Sequence, residues 1–348
     1  LFSLAGMAQS SLLATLSHSG TISTFYGTTA FKDALEKAEN GDVITLSSGQ
    51  FKSVNITKAI TLRGAGMNIR NDSISSHEAT ILNGDIEINI SENTADRLVV
   101  EGIYFASALK YKGTLRNALF MKSRFYEINR AEEGSMVNAT FIHCRVAHYV
   151  TMYKNSNACF VNSIVWNPDN AAYEGSGFEF DNCVICFYDT RSDGSQLYGG
   201  AVTSSYYRNC VIIVNRTWVG SSYKEYCIPA SCIALNCIGC SKFGLVNESD
   251  NNIFYNLKSN STNTKIASPE VAFKTANFEY LDNETYELTD EAKQQYLGTD
   301  GKQVGIYGGN LPYEEDPTTP QITKCNVAAK STADGKLSVD IEVKAADY

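Results

Sequence analysis

The sequence predicts an all-β solenoid, because one short phrase returns along the chain at a nearly constant interval. The phrase is an apolar or aromatic residue, a variable residue, Asn, a small residue and two apolar residues, as in residues 160–165 (FVNSIV) and 180–185 (FDNCVI). The residue after the Asn, taken as a reference, falls at Gly64, Gly84, Gly102, Ser123, Cys144, Ser163, Cys183, Cys210, Cys237 and Leu257. Self-similarity of this kind is typical of repeats that bury their apolar faces only against their neighbours.

Two apolar columns flank the reference position and indicate the shape of each repeat. One column lies three residues before it, as at Phe120, Phe141 and Phe160, and the other lies two residues after it, as at Phe125 and Val146. Apolar and polar residues alternate on both sides of the small residue. Each repeat is therefore predicted to be two short strands that meet at a corner.

The Asn column carries a resemblance to a known family. Asn tolerates the left-handed backbone that a corner needs, and stacked coils lie about 4.8 Å apart, so these amides are expected to bond along the stack. The column is Asn162, Asn182, Asn209, Asn236 and Asn256. This ladder resembles that of right-handed parallel β-helix proteins of the pectate lyase type, within the pectin lyase fold superfamily. The resemblance implies about ten coils over roughly residues 30–310; the same fold carries lyases, hydrolases, esterases and adhesins without catalysis.

The two ends of the chain are predicted to differ from the coils. Residues 1–8 resemble the tail of a secretory signal peptide, which predicts an exported protein. Residues 29–40 have helical apolar spacing and are expected to cap the first coil of a β-helix domain over residues 9–311. Residues 312–320 are rich in Pro and are predicted to be a linker. Residues 321–348 alternate around Asp334 and Gly335, which predicts a β-hairpin or part of a small β module.

The net charge and the distribution of apolar residues limit the kinds of molecule that the protein is expected to bind. The net charge of −9 argues against nucleic acid as the main partner, because phosphate binding needs a basic face. A local basic strip of Lys122, Arg124 and Arg145 could still meet an acidic polysaccharide. The sequence has no apolar run of about 20 residues that would span a membrane.

The ten cysteines are interpreted mainly as structural thiols. Cys144, Cys183, Cys210 and Cys237 share one inward column, where side chains of adjacent coils point in parallel, so stacked free thiols are expected rather than disulfides. Two pairs with CxxC spacing begin at Cys183 and Cys237. Residues three apart in a strand face opposite sides, which argues against a zinc site.

Charged residues just beyond the second strand form the candidate site. Two intervals of 27 residues place insertions in residues 187–206 and 215–229, and insertions in repeat proteins commonly leave one face together. The candidate catalytic residues are Asp169, Asp189, Arg191 and Arg216, and the candidate substrate-binding residues are Arg130, Trp166, Tyr188 and Trp218. The Asp residues could act as acid and base or bind Ca²⁺, and an Arg could hold a uronate carboxylate or remove a proton. The alternative is that these charges are solvated or paired with each other.

These observations lead to one leading hypothesis and an alternative. The leading hypothesis is an exported protein that engages polysaccharide, such as a uronate glycan, on the side of the insertions, with cleavage by a lyase or hydrolase left open. The alternative is an adhesin or structural cell-surface protein without catalysis. His143 replaces a ladder Asn and is expected to bond its neighbours, whereas His148 lies near the candidate corner and could titrate.

Overall fold

The chain folds as a parallel β-helix, which confirms the predicted architecture. The computed structural model describes residues 12–68, 79–91, 94–131, 134–169, 175–187, 203–214, 217–219, 222–224, 231–241, 261–262, 265–267, 269–275, 284–318, 320–327 and 334–344. Two 12-stranded sheets, A and B, form the body. Strands and helices are numbered below in chain order.

Sheet A contains β1 (Leu13–His18), β2 (Thr21–Tyr26), β3 (Val43–Leu46), β5 (Thr61–Arg63), β8 (Val99–Glu101), β11 (Leu119–Met121), β14 (Ala139–Ile142), β16 (Asn157–Val161), β19 (Gly177–Asp181), β21 (Tyr206–Arg208), β25 (Ile233–Leu235) and β27 (Ser261–Thr262). Sheet B contains β4 (Gly49–Lys52), β6 (Thr80–Asn83), β7 (Ile86–Ile88), β9 (Ile103–Tyr111), β12 (Arg124–Arg130), β15 (Arg145–Thr151), β17 (Ile164–Trp166), β18 (Pro168–Asp169), β20 (Val184–Phe187), β22 (Val211–Val214), β26 (Ile238–Ser241) and β28 (Lys265–Ala267). The remaining elements are β10 (Thr114–Arg116), β13 (Ser135–Val137), β23 (Thr217–Val219), β24 (Ser222–Lys224), β29 (Gln321–Val327), β30 (Val339–Lys344), α1 (Ala30–Lys37), α2 (Pro269–Ala272) and α3 (Asp290–Gln295).

Each coil contributes one strand to sheet A and the next to sheet B. Ten such pairs follow each other among the described residues, from β3 with β4 to β27 with β28, which agrees with the predicted number of coils. Neighbouring coils pair in parallel and in register, so that Phe120, Phe141 and Phe160 lie directly above one another. Their rings stack with centroids 4.7 and 4.4 Å apart and are fully buried.

The strand register corrects the predicted repeat at both ends. Gly84 follows β6, which belongs to sheet B, and Arg63 pairs directly with Glu101, so Gly64 and Gly102 lie in neighbouring coils. Gly102 is aligned with Lys122 and not with Ser123, because Glu101 pairs with Met121. The same pattern of an apolar residue, a spacer and Gly occurs at the ends of strands in both sheets. The sequence pattern alone therefore does not show which sheet a strand belongs to.

The last coil also has a different register from the predicted one. Asn256 and Leu257 lie outside the described residues, and the strand that pairs with β25 is β27. β28 then pairs with β26. Leu235 pairs with Thr262 and Ile238 pairs with Lys265, so the strands of these two coils are separated by a third interval of 27 residues.

The small residues of the corner form the ladder inside the solenoid. Ser163 Oγ accepts a hydrogen bond from Cys144 N at 3.0 Å, and Cys210 Sγ accepts one from Cys183 N at 3.4 Å. Cys144, Cys183, Cys210 and Cys237 are buried and unbridged, as predicted. Burial raises the pKa of the Cys144 thiol to about 12. These thiols therefore act as small hydrogen-bonding core residues.

The Asn column adopts the expected backbone but makes different contacts. Asn162, Asn182, Asn209 and Asn236 all have φ between 43 and 55°. The Asn162 Nδ2 donates to Ile306 O at 2.7 Å and to Gly308 O at 2.9 Å, and Asn209 bonds Thr299. The Asn162 and Asn209 amides therefore do not bond along the stack as predicted, because they reach outward at the corner and bind a later segment of the chain.

This later segment, residues 284–318, is called the strap and includes most of the predicted linker, residues 312–320. It runs back along the corner, from Thr299 beside Asn209, through Leu311 beside His143, to Thr318 beside Glu101. Apolar strap residues, among them Ile306 and Tyr313, cover the outer face of sheet B in the later coils. The strap thereby buries a second core outside the solenoid, separate from the interior one.

The N-terminal end is closed by a helix and a hairpin. Helix α1 buries Ala30, Phe31, Ala34 and Leu35, which confirms the predicted cap. Strand β1 pairs antiparallel with β3 and with β2, so it covers the first edge of sheet A. Residues 1–8, the predicted signal-peptide remnant, lie outside the described residues.

The C-terminal hairpin forms as predicted from residues 321 to 344. Strands β29 and β30 pair antiparallel, and Val339, Ile341 and Val343 are about half exposed. Across the described part of the chain, no helix combines the length and the apolar character needed to cross a bilayer.

Candidate functional site

A change of register on sheet B creates an exposed polar and aromatic area. Phe125 pairs with Val146 and Glu127 pairs with Tyr149, so β15 has one more residue than β12 between these pairs. The same shift occurs between β12 and β9. Phe125 and Ile128 are fully buried, which places both Tyr126 and Glu127 on the outer face. Bulges of this kind reorient side chains and are frequent beside functional sites.

The side chains at this shift form what we call the aromatic patch: Tyr126, His148, Tyr149, Glu127 and Asn129. Tyr126 is 43% exposed, and its ring stacks on His148 with centroids 5.1 Å apart and planes 18° apart. The His148 ring meets Tyr149 edge to face at 4.0 Å. The patch therefore offers one broad, partly exposed aromatic surface across two coils.

Polar groups border this surface at fixed positions. Glu127 Oε1 accepts a hydrogen bond from Asn129 Nδ2 at 2.8 Å, and Glu127 Oε2 lies 3.6 Å from His148 Nδ1. Lys110, aligned with Asn129 one coil earlier, forms an ion pair with Asp85 at 2.6 Å. The hydrogen bond from Lys110 lowers the pKa of Asp85, and the same contact raises the pKa of Lys110.

Asp169 is the one predicted catalytic residue that the structure describes. Its strand β18 pairs Asp169 with Thr151, on the outer face between the buried Val150 and Met152. By register, Thr151 follows Asn129 in the next coil, because Ile128 pairs with Val150. Asp169 therefore lies in the row that borders the aromatic patch.

The other predicted site residues have different outcomes. Tyr188, Asp189, Arg191 and Arg216 lie outside the described residues, as do the side chains of Arg130 and Trp218. The register of sheet B is described as far as Phe187 with Val214, two residues before Asp189 and Arg216.

Trp166 does not have the surface position expected of a residue that stacks on a sugar. It is 4% exposed and belongs to the second core beneath the strap. The outer face of β17 is apolar and is covered by the strap, which the alternation of the sequence did not reveal. The expectation that its indole stacks on substrate is therefore wrong for this structure.

The predicted basic strip of Lys122, Arg124 and Arg145 is covered as well. All three side chains are buried, and Arg124 lies over the Tyr104 ring at 4.5 Å. Lys122 binds Glu314 and Arg145 binds Glu315, both in the strap. His143 occupies the Asn column and bonds Leu311 O at 2.9 Å, and burial lowers its pKa.

The patch residues were mostly missed by sequence reasoning. Of the three rings in the patch, the sequence analysis singles out only that of His148 and does not predict a role for Tyr126 or Tyr149. The available signal was the spacing of the inward residues, three from Phe125 to Ile128 and four from Val146 to Val150. A difference of one residue between successive repeats indicates a bulge.

The arrangement places an exposed aromatic face beside carboxylate and amide groups, which can form hydrogen bonds. Within the described residues, no group of three or more His, Cys, Asp or Glu side chains is placed to hold a metal ion. Comparison of this chain with models of protein families, with curated proteins and with solved structures gave no match.

Proposed function

We propose that the protein is exported and binds polysaccharide along the outer face of sheet B, with the aromatic patch as its central contact. The observation that carries the proposal is the exposed Tyr126 ring stacked on His148. Aromatic rings provide large contact areas at a low cost in conformational entropy and are frequent among residues that dominate binding.

The polar groups around the rings support a sugar rather than an apolar ligand. Glu127, Asn129 and Asp169 present carboxylate and amide oxygens, which accept hydrogen bonds from hydroxyl groups, along successive rows of the sheet. Parallel coils repeat about every 4.8 Å, so an extended chain lying along the stack meets similar groups in each coil.

The test is glycan binding by the full chain, measured by calorimetry against a panel of neutral and uronate polysaccharides. Tyr126→Ala is expected to weaken binding at least about tenfold, the loss typical of a central aromatic contact. Tyr206→Ala is the matched control, because Tyr206 is 49% exposed on sheet A. Equal losses in both variants, or binding to none of the glycans, would refute the proposal.

Cleavage is a further step of the same proposal and concerns Asp169 together with Asp189, Arg191 and Arg216. In a lyase reaction a basic group would remove the proton next to a uronate carboxylate, and the glycosidic bond would break by elimination to an unsaturated end. Incubation with uronate polymers and Ca²⁺ is then expected to yield ultraviolet-absorbing products, which Arg216→Ala removes. Reducing ends without such absorption would indicate a hydrolase instead.

The alternative is an adhesin or structural protein of the cell surface. The exposed aromatic patch favours it as well, because binding requires no acid or base. It predicts retention on a glycan gel that Tyr126→Ala reduces, with no product after prolonged incubation.

A further inference from the structure

Three cationic side chains lie side by side on the outer face of sheet B. Arg124 pairs with Arg145 in the next coil, and Lys122 precedes Arg124 at the corner. Like charges opposite each other in a sheet are destabilising, and all three side chains are buried. This strip therefore requires anionic partners.

The strap supplies two carboxylates, those of Glu314 and Glu315, and the backbone carbonyl of the next residue, Asp316. Lys122 Nζ lies 2.9 Å from Glu314 Oε2 and donates to Asp316 O at 2.6 Å. Arg145 donates from Nε and its terminal nitrogen to Glu315 Oε1, at 3.0 and 2.9 Å. The carboxylates approach from outside, because the Glu314 side chain is 57% exposed and that of Glu315 is 26% exposed.

The strip is continuous with the aromatic patch. Arg124 stands two residues before Tyr126 in β12, and Arg145 stands three residues before His148 in β15. A glycan that lies across these two strands would place groups over both the rings and the cations. The strap carboxylates occupy the positions that carboxylates of such a glycan would take.

The strap is held differently on the two sides of Tyr313. Before it, apolar residues such as Val304 and Ile306 are buried in the second core, and Tyr313 itself is buried. After it, Glu314 and Glu315 are held by ion pairs of their side chains, and the Asp316 carbonyl accepts a hydrogen bond from Lys122. Arg145 also donates to Tyr313 Oη and Glu284 O, so its orientation does not depend on Glu315 alone.

We propose that Lys122, Arg124 and Arg145 are the carboxylate-binding part of the glycan site, and that strap residues 314–316 occupy it in place of an acidic glycan. This inference rests on the proposed function and adds a competing segment to it. An acidic glycan binds fully only when residues 314–316 leave the strip, whereas a neutral glycan needs the aromatic patch alone.

The test compares the full chain with Glu314→Gln/Glu315→Gln, using polygalacturonate as the probe at low and high salt. Removal of the competing charges is expected to tighten polygalacturonate binding at least about tenfold. The affinity of the double variant should also fall more steeply between low and high salt than that of the unaltered chain. Glu287→Gln is the control, because Glu287 also pairs with two lysines, Lys274 and Lys293, which are not part of the strip. Unchanged or weaker binding by the double variant would overturn the inference.

Two further measurements separate this inference from the proposed function and from a folding defect. In the unaltered chain, polygalacturonate is expected to increase hydrogen exchange of residues 314–318, and no increase would contradict the competition. In one outcome, Tyr126→Ala abolishes binding of neutral glycans, but the double variant binds polygalacturonate no more tightly than the unaltered chain. The inference about the strap then fails, while the proposed function stands. If the gain survives Tyr126→Ala, the proposed function at the aromatic patch fails while the competition stands.

Discussion

Asn162→Ala is expected to weaken the attachment of the strap, and the size of the loss in stability follows from the contacts of Asn162. Asn162 is 1% exposed and donates two hydrogen bonds to strap carbonyls, each worth about 1 kcal/mol. Its φ of 43° costs an additional 1–2 kcal/mol or so for a residue other than Gly, Asn or Asp. The expected loss in the free energy of unfolding is therefore about 3–4 kcal/mol.

Asn236→Ala is the matched control for this prediction. Asn236 has the same backbone, with φ of 51°, but its amide bonds no described residue and faces a cavity of about 490 Å³. It should lose only the backbone preference, about 1–2 kcal/mol. The loss in the free energy of unfolding should be smaller for Asn162→Gly than for Asn162→Ala. Both variants lose the same hydrogen bonds, but Gly adopts the left-handed backbone without the additional cost.

Urea unfolding followed by tryptophan fluorescence measures this difference. Trp166 lies beneath the strap, so its emission in a Trp218→Phe background reports on detachment of the strap. The slope of free energy against urea must be equal in the variants for the comparison to hold. If Asn162→Ala and Asn236→Ala shift the midpoint equally, the outward amides do not anchor the strap and the reasoning is refuted.

Three further predictions concern the core, the thiols and the pH dependence. Phe141→Ala removes a fully buried ring from the aromatic stack and should cost about 3–5 kcal/mol in urea unfolding, whereas a loss below about 1 kcal/mol would contradict close packing. Cys144 should resist alkylation near neutral pH in the native protein, because burial raises its pKa to about 12; mass spectrometry showing rapid modification would contradict this. Hydrogen bonds from Lys274 and Lys293 lower the pKa of Glu287 to about 2, so its contribution is present above pH 4.5 and is lost as the pH falls towards 2. Glu287→Gln should therefore differ from the unaltered chain by less than about 1 kcal/mol near neutral pH and match it near pH 2, as measured by urea unfolding.

The architecture was predictable because each coil repeats one local rule. Alternation around Phe141 and Phe160, with an Asn and a small residue between the strands, specifies two strands and a left-handed corner. The rule did not specify which sheet a strand joins, so the register near Gly84 was wrong. Gly102 stands in the Asn column, aligned with Lys122, whereas Gly84 follows a strand of sheet B, so a Gly in the pattern does not distinguish the two corners.

The candidate site was less predictable because it depends on contacts between distant parts of the chain. The charges of Lys122 and Arg145 were visible in the sequence, but their partners Glu314 and Glu315 lie about 170 to 190 residues later. Such pairing is set by how the strap folds back, which no local pattern encodes. The burial of Trp166 has the same cause.

The path of the strap also orders events during synthesis. Coils can stack as they leave the ribosome, because each contacts only its neighbours. Thr318 reaches Glu101 only after 217 further residues have been made, so the outer face of sheet B in the later coils lacks its cover until the strap has been synthesised. Until the strap has been made, the nascent chain therefore exposes the apolar part of this face, which a chaperone that recognises apolar surface could bind.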